Sequence, residues 1–153
     1  MDSNPTPDFD TRQKPDWSPF DAPALVGKSL RFVSGDPHGK RFRLRYFRDG
    51  KNDLVALAWF GEETEGPPGH AHGGSMAAVL DEVLGLAAWA AGHPIVVGNL
   101  NIHFRKLLPL EVVTQVETEI VSVKGRKVLV RGRLTDGHDG LYAEADCLCI
   151  RIL

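Results

Sequence analysis

Residues 75 to 91, SMAAVLDEVLGLAAWAA, constrain the fold more than any other stretch of the chain. Ala, Leu and Met favour a helix, Gly92 is suited to stop it, and Pro94 lies just beyond. At 100° per residue, Met76, Val79, Leu80, Val83, Leu84, Leu86 and Trp89 point in nearly every direction around the axis. A helix that is apolar all round must lie inside something. Yet Asp81 and Glu82 sit in its middle, and a buried carboxylate without partners is costly. Their side chains diverge by about 100°, so they meet different surroundings. One of them has a task, and the other a partner.

What can enclose this helix is read from the remaining sequence. RFRLRY (41 to 46) alternates Phe42, Leu44 and Tyr46 with arginines, the period of a strand with one wet face. DG at 49 and 50 signals a turn, and LVALAWF (54 to 60) reads as a more buried strand paired with the first as a hairpin. After the helix come VVGNLNIHF (96 to 104), VVTQVETEIVSV (112 to 123), KVLVRGRLTD (127 to 136) and LYAEADCLCIRIL (141 to 153). Short hairpin connections require antiparallel pairing. An antiparallel sheet of about six strands wrapped around one central helix satisfies the pattern, an α+β architecture known as the hotdog fold.

At 153 residues the chain has the size of one domain, expected over 24 to 153. Residues 1 to 23 hold five of the ten prolines and several aspartates, which prevents regular helix or ladder pairing, so a tail is expected there. Trp17 and Phe20 are the residues with which it can dock on the domain. A net charge of -2 gives no basic field for nucleic acid. The N-terminus lacks a basic-then-apolar signal, and no apolar run is long enough to span a bilayer, so a cytoplasmic protein is expected. Cys147 and Cys149 are spaced as same-face strand neighbours, a poor geometry for a mutual disulfide; reduced thiols are expected.

The chemistry is concentrated where HGG (72 to 74) enters the helix. The first turn of a helix has amide N–H groups without internal partners, and glycine lets a ligand approach them. With the positive end of the helix dipole, those of Gly73 and Gly74 can polarise a carbonyl and stabilise an oxyanion. From Gly74 to Asp81 the helix rises roughly 10 Å. A base or nucleophile must come within about 3 Å of the reacting atom, so one helix does not easily supply both groups. Two antiparallel copies about a two-fold axis place Asp81 of one chain beside the Gly73 region of the other.

HGG, the acid nine residues after its histidine, and the strand NLNIHF resemble the acyl-CoA thioesterases of the hotdog superfamily, the phenylacetate-pathway type family. Within it, EGPPGHAHGG (65 to 74), NLNIHFRKLLPL (99 to 110), VKGRK (123 to 127) and LYAEADCLCIRI (141 to 152) are most similar to thioesterase superfamily members 4 and 5. The resemblance covers roughly residues 40 to 153. It implies hydrolysis of acyl-CoA to a free acid and coenzyme A without metal or cofactor, in a homodimer or dimer of dimers. It selects Asp81 as general base or nucleophile, with Glu82 as a salt-bridge or supporting partner.

Around this pair, His72 either orients substrate or anchors the loop. Asn99, Asn101 and His103 form a polar stripe able to meet substrate, and Arg105, Lys106, Lys124, Arg126 and Lys127 are candidate contacts for coenzyme A phosphates. Ala77, Ala78, Ala87 and Ala88 leave room beside the helix. His70 and His72 make an H-x-H pair, but further ligands at metal-site spacing are missing, so no metal is expected. Two positions depart from the family pattern: Gly66 stands where many members carry Asn or Gln, and Val97 where members 4 and 5 carry Thr. They leave room for an alternative, a non-catalytic hotdog protein that binds acyl-CoA or lipid.

Overall fold

The computed structural model describes residues 6–22 and 31–152. Among the described residues seven strands form one sheet: β1 (Ser18–Pro19), β2 (Phe42–Arg48), β3 (Leu54–Phe60), β4 (Ile95–Phe104), β5 (Val113–Lys124), β6 (Lys127–Thr135) and β7 (Leu141–Arg151). One α-helix is found among them, α1 (Gly73–Ala90), which follows β3. The strand order is β1-β2-β3-β5-β6-β7-β4, and every neighbouring pair is antiparallel.

Each hairpin follows from local chemistry. Between β2 and β3, the Asp49 N–H donates to the Asp53 carbonyl and Asn52 takes the left-handed conformation. Asparagine tolerates that region better than other side-chain-bearing residues. Between β5 and β6, Gly125 sits at φ 57°, so Lys124 and Lys127 pair directly.

The concave face of the sheet carries the core. Val116, Val128, Val130, Leu134, Ala143, Cys147 and Cys149 are buried against Val79, Leu80, Val83 and Leu84 of α1. At Gly132 a Cβ would stand 2.4 Å from Leu84 Cδ2, so any side chain there would push the Leu84 side chain aside. The sequence expectation of one apolar helix enclosed by an antiparallel sheet holds, and the arrangement is that of a hotdog. The two thiols are free and share a face as expected, with Sγ atoms 3.5 Å apart.

Residues 6–22 do more than a tail. Phe9 and Trp17 are buried on the convex face with Phe47, Val55, Leu57 and Trp59. Ser18 and Pro19 pair with Arg48 and Phe47. The prolines were read as excluding ladder pairing; a proline is tolerated on an edge strand, where its missing N–H costs no ladder bond. Trp17 docks as anticipated, its ring 5.4 Å from that of Phe47, and Phe20 packs against the main core. The domain boundary expected between residues 23 and 24 lies outside the described residues.

Candidate active site

α1 begins two residues before its expected start, and the reason lies in His72. This residue is the N-cap, and its Nδ1 accepts a hydrogen bond from the Gly74 N–H at 2.8 Å. Capping by a side chain satisfies one of the orphan donors of a helix start. His72 is itself clamped: its N–H donates to the Thr64 carbonyl at 2.6 Å, and its carbonyl accepts from Ser75 and Met76. Of the two roles open to His72, the geometry displays anchoring. The Gly74 amide is thereby occupied. The half-buried Gly73 N–H, first in the helix, has no acceptor among the described residues.

Gly66 packs onto this clamp. A Cβ at residue 66 would lie 2.7 Å from His72 Cα and 2.9 Å from His72 Cβ. No side chain of any kind fits while His72 keeps its position, which accounts for glycine where the family often carries an amide. His70 turns elsewhere, its Nδ1 2.8 Å from the Pro68 carbonyl oxygen, so the two histidines are engaged separately. No group of three or more potential metal ligands occurs among the described residues.

Two turns along, Asp81 opens into a groove of about 520 Å³. One wall is a stripe of α1 marked by Gly74, Ala78, Asp81, Gly85 and Trp89; opposite lie Ile95, Val97 and Leu100 of β4, with Arg31, Phe32 and Val33 on the remaining side. The Asp81 carboxylate is engaged by no hydrogen bond or ion pair among the described residues. Loss of water to the groove walls pushes its carboxyl above the usual aspartate range, and the neighbouring Glu82 charge adds to the rise. Glu82 is differently placed. It accepts from the Tyr46 hydroxyl at 2.9 Å and from the Val33 N–H at 3.4 Å, so it fastens the 31–33 wall to the helix. Its described partners are thus a hydroxyl and an amide. Burial, followed by the Glu82 charge, pushes the Tyr46 hydroxyl far above its ordinary pKa.

The polar stripe of β4 lies apart from this groove. Val97, Leu100 and Ile102 pack inward, and Phe104 lies along Gly73. By strand alternation, Asn99, Asn101 and His103 face the convex side, where Asn101 pairs in register with Asp146 and His103 with Glu144. A bulge between Val97 and Asn99 sets this phase. The five basic residues are also divided. Arg105 is bound to Glu144 at 2.8 Å, and Lys106 lies over the Tyr142 ring, both beyond the Phe104 end of β4. Lys124, Arg126 and Lys127 belong to the β5–β6 hairpin at the other end, where Lys127 pairs with Ile150 and Ile150 with Val96. Of the four alanines, Ala77 and Ala78 line the groove, whereas Ala87 and Ala88 are buried in the core. The wall at 31–33 was missed in the sequence, since its short run shows no periodicity; Phe32, 78% exposed, is its sole conspicuous signal.

Comparison with known proteins decides the family. Residues 68–143, from the loop before His72 to β7, match the thioesterase superfamily model. The chain carries a thioesterase superfamily domain. Human acyl-coenzyme A thioesterase THEM5 is 35% identical over 54% of this chain and 34% of its own length. Rat acyl-coenzyme A thioesterase THEM4 is 27% identical over 88% of this chain and 59% of its own. The chain thus spans between a third and three-fifths of the length of these two curated relatives. Among solved structures, a hypothetical thioesterase protein with coenzyme A from Streptococcus pneumoniae superposes with a TM-score of 0.65 at 19% identity, covering 74% of this chain and 90% of that one. A second thioesterase superfamily protein gives a TM-score of 0.67 at 24% identity, over 71% of this chain and 53% of its own. These likenesses establish the hotdog fold of the thioesterase domain. No helix among its described residues is long and apolar enough to cross a membrane.

Proposed function

We propose that this thioesterase domain hydrolyses acyl-CoA thioesters to a free acid and coenzyme A, from two composite sites in a homodimer. The observation that carries the reading is Asp81: an acid with no partner among the described residues, held above its usual pKa at the wall of an apolar groove, on the helix whose first amide is unclaimed by any described residue. Names of the curated relatives and the coenzyme A of the pneumococcal structure support the substrate class. Asp81 of one subunit activates water or attacks the thioester carbon. The Gly73 N–H of the other receives the developing oxyanion, a contribution worth roughly 10²–10³ in rate for one such donor. His72 and the Gly74 amide form the cap that aims Gly73.

The two-fold arrangement is supported by distance and by an open edge. Eight residues separate Gly73 from Asp81, about 12 Å of helix, too far for one carbonyl to meet both. β4 ends the sheet with its outer ladder unpaired among the described residues, and Val96 and Phe104 on it are more than half exposed. An antiparallel strand of a second copy satisfies both features. Substrate contacts by Asn99, Asn101 and His103 are not part of this reading, since they face the convex side.

Steady-state hydrolysis of a panel of acyl-CoAs by the parent, Asp81→Asn and Asp81→Ala tests the proposal. A loss of at least about 10²-fold in kcat is expected for both variants, and parental rates in either would refute the role of Asp81. Gly66 and Val97 favour the second reading, a domain that binds acyl-CoA without cleaving it. Titration with acyl-CoA while free thiol is recorded separates the two, because binding without thiol release supports the second.

A further inference from the structure

The chain leaving β4 doubles back along the loop that enters α1. The Ala71 N–H donates to the Leu108 carbonyl at 2.8 Å and the Leu110 N–H to the Gly69 carbonyl at 3.1 Å, with a bridge between His70 and Pro109 in the same seam. Leu108 is fully buried there. The end of β4 is pinned from its other neighbour, because the N–H groups of Arg105 and Lys106 both donate to the Tyr142 carbonyl, at 2.8 and 3.2 Å. One side chain of this brace reaches the helix start. The Phe104 ring atoms Cζ and Cε1 lie 3.5 and 3.6 Å from the point where a Cβ on Gly73 would stand. In a helix the Cα–Cβ direction leans toward the N-terminus, the end at which the first amides point outward unpaired. The ring therefore covers Gly73 on the side of its N–H, which no described residue claims. Phe104 is nevertheless 52% exposed in the single chain, so burial in a core does not account for an aromatic residue at this place.

We propose that Phe104 is a positioning residue of the hydrolytic site: its ring keeps bulk water off the Gly73 N–H, so that this donor is free when the thioester oxygen arrives. The inference rests on the acyl-CoA reading above and adds a residue to it. A donor open to solvent is already bonded to water and has to be stripped before it meets substrate. One held in a water-poor pocket needs no such reorganisation, and its bond to a developing charge is stronger. Gly73 has no side chain with which to cover itself, and the His72 ring is spent on the Gly74 amide. The Phe104 ring supplies the cover without offering any group that competes for the N–H, and the paired amides of residues 105 and 106 hold its root in place. An aliphatic side chain at residue 104 would exclude water as well, whereas a polar one of similar size would bring water in. That contrast separates shielding from mere packing.

The test compares parent, Phe104→Leu, Phe104→Asn and Phe104→Ala proteins as full chains. Hydrogen exchange of the Gly73 amide, resolved by heteronuclear NMR, reads the shield directly; kcat and KM for acyl-CoA, the urea midpoint and the sedimentation coefficient are recorded on the same samples. Gly73 should exchange at least about tenfold faster in the asparagine and alanine variants than in the parent, and within about threefold of the parent in Phe104→Leu. In parallel, kcat should fall at least about tenfold in Phe104→Asn and Phe104→Ala with KM within about threefold, and Phe104→Leu should restore most of the loss. If Phe104→Ala fails to fold, the leucine and asparagine pair carries the comparison. Variants that lower the urea midpoint while Gly73 exchange and kcat stay parental would overturn the proposal. So would a loss of kcat that appears only where the sedimentation coefficient shows dissociation, which would mark Phe104 as a subunit contact. A parent that cleaves no acyl-CoA, yet whose Gly73 amide loses protection in the asparagine and alanine variants alone, would uphold the shield and overturn the thioesterase reading.

Discussion

Gly66→Ala is the smallest change that tests how the candidate site is built. The new methyl would sit 2.7 Å from His72 Cα and 2.9 Å from its Cβ. His72 has nowhere to retreat: its N–H is held by the Thr64 carbonyl, its carbonyl by Ser75 and Met76, and its ring by the Gly74 N–H. The loop has to shift, at the usual overpacking cost of about 1–3 kcal/mol, and the shift pulls the ring from its cap, at about 1 kcal/mol more. With both engaged, a loss of about 2–4 kcal/mol is expected, read as a lower urea midpoint at unchanged slope. For a domain of this size each kcal/mol lowers Tm by roughly 2–4 °C. Hydrolysis should fall as well, because a displaced cap re-aims the Gly73 amide. Gly66→Asn, which restores the amide common in the family, should be at least as damaging. A Gly66→Ala protein within about 0.5 kcal/mol of the parent would refute the wedge between residue 66 and the cap.

Further outcomes follow from the same contacts. Because burial and Glu82 raise the carboxyl pKa of Asp81, the folded chain holds this proton more tightly than the unfolded chain does, and ionised Asp81 costs stability at neutral pH. Asp81→Asn should therefore be more stable than the parent at pH 7, with the gain shrinking as pH falls through the folded pKa and gone below the ordinary value of 3.8; thermal melts across pH check this. The acid limb of kcat/KM for the parent should lie above that same value. Tyr46→Phe removes the 2.9 Å bond to Glu82, and should cost about 1–3 kcal/mol in urea denaturation through the carboxylate left under-satisfied. Trp17→Ala should cost about 3 kcal/mol in the same assay, as for other buried aromatic residues cut to alanine, whereas a freely solvated residue 17 would cost nothing.

The sequence disclosed the elements whose pattern is repetitive. α1 was legible because its apolar residues surround the axis, β3 because it is a short apolar run after a turn signal, and the other long strands because they alternate between a wet and a dry face. The seventh, β1, escaped because two residues have no period and one of them is proline. Asp81 and Gly73 became candidates because HGG and the offset of Asp81 from His72 resemble the family pattern. By contrast, the direction of Asn99, Asn101 and His103 depends on a bulge and on which face of β4 the helix covers, and an alternating pattern does not say which side is inside. The roles of His72 and Gly66 arise from one close contact between two loops, and such proximity leaves no mark on either segment alone.

The central claim is that each site draws its acid from one subunit and its oxyanion donor from the other. Gly73 occupies the first helical position after an extended His72, so Gly73→Pro removes that N–H where proline is well tolerated. Asp81→Asn and Gly73→Pro chains should each be impaired alone. Co-refolded in equal amounts, half of the dimers are mixed and each has one intact site, so about a quarter of parental activity should return. Recovery to that level is the result the account predicts; a mixture no more active than its two components would contradict it.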